Sequence, residues 1–447
     1  MVVRIYHGAA AGRAAVLARR ELRDADLSPR MREGVRRVFG ADLSADEVVR
    51  RILADVRGRG DEAILHYTEQ IDGVRLDALE VSAEELRAAR AAVPRDVIAA
   101  LETAAARIRR FHERQHIDPW IDVQPEGVLG QLVVPLERVG VYAPGGTAPY
   151  PSSLLMTAIP AAVAGVGEVV VCAPPERDGQ IAPVTAVAAQ IAGAARVFRI
   201  GGAQAIAAMA FGTQSVPRVD KVLGPGNIFV VLAKRQVYGE VAIDALPGPT
   251  ETVLIADDSA SAELCAADML AQAEHDPMAS AILLTPSAGL AGAVSDELER
   301  QLAVLSRASV ARESLAVNGA IVVVETLDEA FAIANDYAPE HLCLLLADPW
   351  AWVPTVRHAG GIFLGESSPE VLGDYTAGPS HVMPTGRTAR FSSPVNAADF
   401  VKVISVIGLN ERGLRELGPA AARIARAEGL TAHAAAVERR LERLRPD

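Results

Sequence analysis

The stretch VVVCAPPERDGQIAPVTAVAAQIAGAARVFRI, residues 169–200, decides the fold. A β-branched run (Val169–Cys172), an Ala-rich apolar segment around residues 183–193 and a second such run (Val197–Ile200) follow one another. Their period of about 28 residues is that of a strand-helix-strand unit, and that connection places the two strands parallel in one sheet.

The same alternation continues outward. Leu132–Val134 and Val139–Tyr142 precede the stretch, and Val219–Leu223 follows it. A second set of strands is expected at Thr252–Ala256, Ile282–Thr285, Ile321–Val324 and Gly361–Leu364, with helices over 260–274, 290–304 and 328–335. The fold class is therefore α/β, with two units of similar build at about 130–245 and 250–385. No tandem repeat of residue identity links them.

The flanks read as helical. Ser44 with Glu47 and Ser82 with Glu85 form S-x-x-E capping boxes ahead of apolar runs. After Pro94, the spacing of Val97, Leu101, Ala104, Ile108 and Phe111 draws one apolar stripe. This region shows no chemistry, and His66, His112 and His116 read as surface histidines. In the tail from about residue 410, Gly429 breaks one helix after Glu428, Thr431 is a candidate cap, and Val437, Leu441 and Leu444 give the next helix its stripe. A single amphipathic helix at a chain end needs a surface to dock on, its own domain or a partner subunit.

Composition narrows the partners. The 447 residues carry 44 Lys+Arg against 56 Asp+Glu, a formal charge of −12, which argues against a surface built for nucleic-acid phosphates. Half of the chain is apolar, which excludes disorder. Cys172, Cys265 and Cys343 lie far apart, as expected of a reducing compartment. The start lacks a secretory pattern, and the longest uncharged stretch, Val139–Gly167, is broken by four prolines. A soluble, cytoplasmic protein without a membrane partner is expected.

Three segments carry candidate chemistry. In QAEHD (Gln272–Asp276), Gln272 and His275, three apart, share a helix face, although taken alone the pair is better read as a solvated Gln272 and a His275 that ends the helix favourably against its dipole. In NDYAPEHL (Asn335–Leu342), Glu340 and His341 put a carboxylate and an imidazole at a helix-to-strand junction, two proton-transfer groups of different pKa. SPEVLGDYTAGPSHVMPT (Ser368–Thr385) holds Glu370, Asp374 and His381 in a polar, turn-rich run, which marks function when disorder is excluded. Metal donors are available in Gln272, His275, Asp374 and a further imidazole such as His433; nitrogen and oxygen without thiolate suit zinc, manganese or cobalt. Gly-rich turns follow strands at RVGVYAPGGTAPYPSS (Arg138–Ser153), GGAQA (Gly201–Ala205) and LGPGN (Leu223–Asn227), none in the G-x-G-x-x-G pattern.

RVGVYAPGG, GGAQA, DKVLGPGN, QAEHD, NDYAPEHL, GDYTAGPSH and GLTAH occur in this order, and the chain so resembles the histidinol dehydrogenase family over essentially its whole length. The resemblance implies oxidation of L-histidinol to L-histidine through L-histidinaldehyde with two NAD, at the end of histidine biosynthesis. It implies one zinc per subunit, held by Gln272, His275, Asp374 and, across a homodimer, His433. Glu340 and His341 match the catalytic pair. Thr250, His381 and Glu428 match substrate contacts, alongside Gln272, His275, His341, Asp374 and His433, while Tyr142, Gln204 and Asn227 match NAD contacts. Thr250, in PGPTE, stands where the family more often has Ser and keeps the hydroxyl.

The implied organisation is two incomplete Rossmann-like units with parallel sheets plus helical terminal segments. Residues 1–129 form a helical region packing on the second unit, 130–249 the NAD-side unit, 250–385 the unit with the metal and catalytic residues, and 386–447 a helical tail reaching the partner subunit. Competing readings are a related enzyme acting on another alcohol, a zinc hydrolase using the same donors, and a non-catalytic binding protein.

Overall fold

The computed structural model describes residues 2–18, 27–145 and 149–445. In chain order the strands are β1 (Arg4–His7), β2 (Trp120–Gln124), β3 (Gly127–Pro135), β4 (Arg138–Tyr142), β5 (Glu168–Ala173), β6 (Arg196–Arg199) and β7 (Lys221–Leu223). They continue with β8 (Ala242–Ile243), β9 (Glu251–Ala256), β10 (Ser280–Thr285), β11 (Ala320–Val323), β12 (His341–Leu345), β13 (Gly361–Leu364) and β14 (Val401–Leu409).

Two parallel sheets result. The first runs β6-β5-β4-β7-β8 and the second β1-β11-β10-β9-β12-β13. Counted within its own unit, each has the order 3-2-1-4-5 of a doubly wound fold, and β1 extends the second at its edge. The order reverses between β4 and β7 in one unit and between β9 and β12 in the other. Runs such as VVVCA and VLIA are apolar at every position because helices cover both sheet faces, leaving β9 and β12 buried throughout. The connecting helix of the opening stretch, Pro183–Ala192, starts on Pro and stops at Gly193, whose φ of 78° is the left-handed conformation a helix end favours.

Both capping boxes form, on the helices Ala45–Arg59 and Ala83–Ala92. The N-terminal helices, however, pack on the first unit rather than the second. Val49, Ile52 and Val56 share a core with Ile206 and Val230 of the first unit. Leu101 and Ile108 of the helix Arg95–His112 share another with Leu154 and Ile159. Among the described residues of 1–129, β1 and the helix Ala9–Leu17 join the second unit through β11 and the helix Leu327–Tyr337, and Arg107 of the helix Arg95–His112 also reaches it at the Ala377 carbonyl. An amphipathic stripe shows that a helix face is buried and says nothing of what covers it.

Four further expectations are corrected. Leu132–Val134 belongs to an antiparallel sheet, β14-β3-β2, not to the parallel one. The segment 386–447 accordingly contains a nine-residue strand ahead of its helices and is not wholly helical. Its helices, Glu411–Ala427 and Thr431–Arg443, form a hairpin against that sheet and meet closely at Gly418, where an added Cβ would lie 3.0 Å from Val437. Leu430, not Thr431, occupies the cap position. His112 is fully buried, its Nδ1 bonded to the Ile108 carbonyl, whereas His66 and His116 are exposed as expected. Among the described residues no helix is long and apolar enough to cross a membrane.

Candidate functional site

The helix Leu327–Tyr337 ends on Ala338, a buried non-glycine residue at φ 52°, a conformation costing about 1 kcal/mol or more that persists where surrounding structure enforces it. Pro339 follows, so the chain turns sharply and delivers Glu340 and His341 to the amino end of β12, between β9 and β13. There Glu340 Oε2 accepts from the Thr250 hydroxyl at 2.5 Å and the Glu251 N–H at 3.0 Å. The Thr250 oxygen itself accepts from Gln272 Nε2 at 2.9 Å. A chain of donors thus runs from Gln272 through Thr250 into Glu340.

His341 is buried, with Nδ1 3.7 Å from Glu340 Oε2 and Nε2 3.7 Å from Asp374 Oδ1. Both distances exceed hydrogen-bond reach, so neither ring nitrogen has a partner. Asp374 sits on the short helix Glu370–Tyr375, and its carbonyl accepts from His381 Nδ1 at 2.7 Å. A carbonyl can only accept, so Nδ1 carries the proton and Nε2 is free to accept from Ser153 Oγ at 2.9 Å. Ser153 stands near the start of the helix that follows β4, and Ser380 donates to the Met156 carbonyl of the same helix. The carboxyl end of the first sheet therefore faces the amino end of the second. Open α/β sheets ordinarily bind ligands at carboxyl ends, whereas the candidate residues of the second unit stand at the amino ends of their strands.

Electrostatics follow from this burial. Burial raises the Glu340 carboxyl above its ordinary range. Burial opposes charge on His341, but Glu340, Asp374 and Glu370 outweigh it and hold the imidazole up to about 10. Burial pushes Glu370 up to about 7, even with the Thr252 hydroxyl donating to it. Asp374, although partly buried, is held below the usual range by His341.

The expected metal donors are brought together in part. Gln272 ends the helix Ala262–Ala273 fully buried, its Oε1 without a partner. His275 lies just past that helix and is exposed, so the two do not share a helical face as expected, yet His275 is near enough to Asp374 and His381 to shift both. Glu428 and His433 are exposed on the tail hairpin, which packs chiefly on itself and on β14. Within one chain, no three His, Cys, Asp or Glu side chains gather as a metal cluster among the described residues.

On the first unit, Tyr142 closes β4 and its hydroxyl accepts from the Gly202 N–H at 3.1 Å. Gln204 is fully buried with both amide atoms unpartnered. Asn227 caps the helix Ile228–Val237 by accepting from Phe229 and Val230, which leaves its amide nitrogen for other work. Gly224, at φ 114°, lets this loop press on β4: a Cβ there would lie 2.2 Å from the Tyr142 carbonyl oxygen. Gln204 and Asn227 line one cavity of about 200 Å³. Gly146, of the expected Gly-Gly turn, lies outside the described residues. Sequence reasoning missed Ser153 and Thr252: isolated hydroxyls in apolar runs carry no signal until the fold sets them beside His381 and Glu370.

Residues 37–441 match the family described as histidinol dehydrogenase. The histidinol dehydrogenase of Deinococcus radiodurans is 56% identical over 410 residues, 91% of this chain and 93% of that protein. That of Dehalococcoides mccartyi is 50% identical over 427 residues, 95% and 97% of the two chains. The crystal structure of histidinol dehydrogenase from Elizabethkingia anophelis superposes with a TM-score of 0.91 at 33% identity, covering 99% of each chain.

Proposed function

The chain belongs to the histidinol dehydrogenase family, oxidoreductases of the final steps of histidine biosynthesis, and from that premise we propose how its own residues divide the work. The observation that carries the reading is a set of buried side chains with unmet bonding capacity at the junction of the two units: both nitrogens of His341 and Oε1 of Gln272. Buried polar groups are rarely left unpaired without a ligand to receive.

The substrate is L-histidinol, a primary alcohol. His341 takes the hydroxyl proton as the carbon is oxidised to the aldehyde, and to do so it must first give up the proton that the carboxylates around it favour in the unliganded site. Glu340 then takes a proton from the water that attacks L-histidinaldehyde, and the hydrate is oxidised to L-histidine. Glu340 is suited to this because Thr250 and the Glu251 N–H hold one of its oxygens in place. His381, whose orientation is set by the Asp374 carbonyl and Ser153, contacts the substrate from the opposite side.

Tyr142, Gln204 and Asn227 would hold NAD, which would supply the hydride acceptor for each step. Gln272 and Asp374 fit a zinc ion: the first has a buried oxygen without a donor, the second a carboxylate held ionised, and neither offers thiolate. His275 and, from the second subunit, the partner's His433 complete the set, and Glu428 reaches the substrate from the same tail. Bound zinc would position the substrate's nitrogens.

A homodimer is supported by the antiparallel sheet and tail. Trp120, Ile121, Val123, Val403, Ile407 and Ile424 are all at least half exposed, and an apolar surface of that extent marks an interface. Zinc-loaded protein is expected to reduce two NAD per L-histidine formed and to lose activity, but not fold, on chelation. Release of free aldehyde with a single NADH would refute the reading.

A further inference from the structure

We propose that Asp72 selects the cofactor: its carboxylate accepts a hydrogen bond from the adenosine ribose of NAD, and its charge excludes the 2′-phosphate of NADP. The proposal rests on the reading of the first unit as the NAD side.

Asp72 closes the helical turn Thr68–Asp72, in the N-terminal region where the sequence shows no chemistry, and Gly73 at φ 72° ends that turn. One carboxylate oxygen, Oδ2, is buried without a partner. The other lies 3.7 Å from the point where a Cβ on Gly201 would sit, and the same Cβ would lie 2.8 Å from Pro174. Asp72 therefore stands at the carboxyl ends of β5 and β6, facing the residues that leave those strands. Its charge also contributes, after burial, to raising the Tyr142 hydroxyl.

In doubly wound nucleotide-binding sheets the acid that holds the ribose follows the second strand of the unit. Here that strand is β5, which ends Cys172-Ala173 and runs into Pro174 without an acid, and Glu176 beyond it is exposed in a turn. Asp72 supplies the missing carboxylate from another part of the chain. Its neighbourhood has the same unmet demand for a polar ligand: beside Gly202, Gln204 keeps both amide atoms buried and unpaired. Ile71 and Phe229 add apolar walls to the cavity that Gln204 and Asn227 line, a surface for a base to lie on. A buried carboxylate without a donor is unfavourable, and a ribose hydroxyl is a donor of the right kind. A phosphate in its place would set two anions against each other in a desolvated site.

Calorimetric titration of zinc-loaded protein with ADP-ribose and with 2′-phospho-ADP-ribose tests this without turnover. Wild type is expected to prefer ADP-ribose by roughly 100-fold or more, the scale of a desolvated like-charge contact. Asp72→Asn should weaken ADP-ribose by about tenfold, the value of a hydrogen bond to a charged group, and bring the two ligands to similar affinity. In turnover, KM for NAD should rise while kcat and KM for L-histidinol stay within about twofold, since the ribose lies away from the reacting carbon. Asp72→Ser should act in the same direction. A wild type without preference between the ligands, or folded variants that keep the full preference, would overturn the proposal. Inactivity of wild type on L-histidinol with NAD would instead sink the underlying reading.

Discussion

The hydroxyl of Thr250 donates to Glu340 Oε2 at 2.5 Å while accepting from Gln272 Nε2 at 2.9 Å. One small side chain thus couples a proposed metal donor to a proposed proton acceptor and orients both. Thr250→Val keeps the shape and removes the hydroxyl, leaving a buried amide without its acceptor and Glu340 short of a donor. A lost hydrogen bond to a charged group is worth about 1.5–3 kcal/mol, so kcat should fall roughly 10–100-fold. Thr250→Ser should restore activity to within about threefold, because it restores the hydroxyl. Steady-state kinetics of the two variants check this, and a fully active Val variant would show that the coupling is idle.

Asp268, four residues before Gln272, is raised to about 6 by burial first and by the charge of Glu366 second. Its folded value lies above the unfolded one near 3.9, so the folded state holds the extra proton between those values. Stability from this group is complete below about pH 4 and is lost as pH rises through about 6. Asp268→Asn removes that dependence and should be the more stable protein at pH 8, by about 2 kcal/mol, with the gap closing toward pH 4. Denaturant unfolding at several pH values checks it. A constant gap would show that Asp268 titrates normally.

The exposed strand β14 gives a second structural test. Ile407 is 73% exposed, so Ile407→Asp should leave the monomer's fold intact while burying a charge in any interface that covers it. Sedimentation should show a shift from dimer to monomer, together with loss of activity on L-histidinol. A dimer that persists at full activity would place the interface elsewhere.

The sequence shows the two α/β units because their strands are buried on both faces and read as continuous apolar runs, as in β5 and β9. It also shows the polar candidates, since Glu340, His341, Asp374 and His381 stand in short, turn-rich segments between such runs. The partners of the N-terminal helices were not legible: the stripe on Ala45–Arg59 fits any apolar surface, and only the fold chooses Ile206 and Val230. Strand β14 was hidden because its pairing to β3 spans most of the chain. Asp72 was hidden for a related reason. Its neighbours Pro174 and Gly201 lie more than 100 residues away in sequence, and nothing local distinguishes it from a solvated carboxylate.

The central claim is that Glu340, His341, Asp374 and Gln272 make half of a site that a second subunit's tail completes. Mixing His341→Ala protein with His433→Ala protein under conditions of subunit exchange tests it most directly. Each parent alone should be inactive on L-histidinol. In the mixture, half of the dimers are hybrids, and in each hybrid one site pairs an intact His341 with an intact His433, so activity should return to about a quarter of wild type. No recovery, despite exchange confirmed by differently tagged subunits, would contradict the shared site.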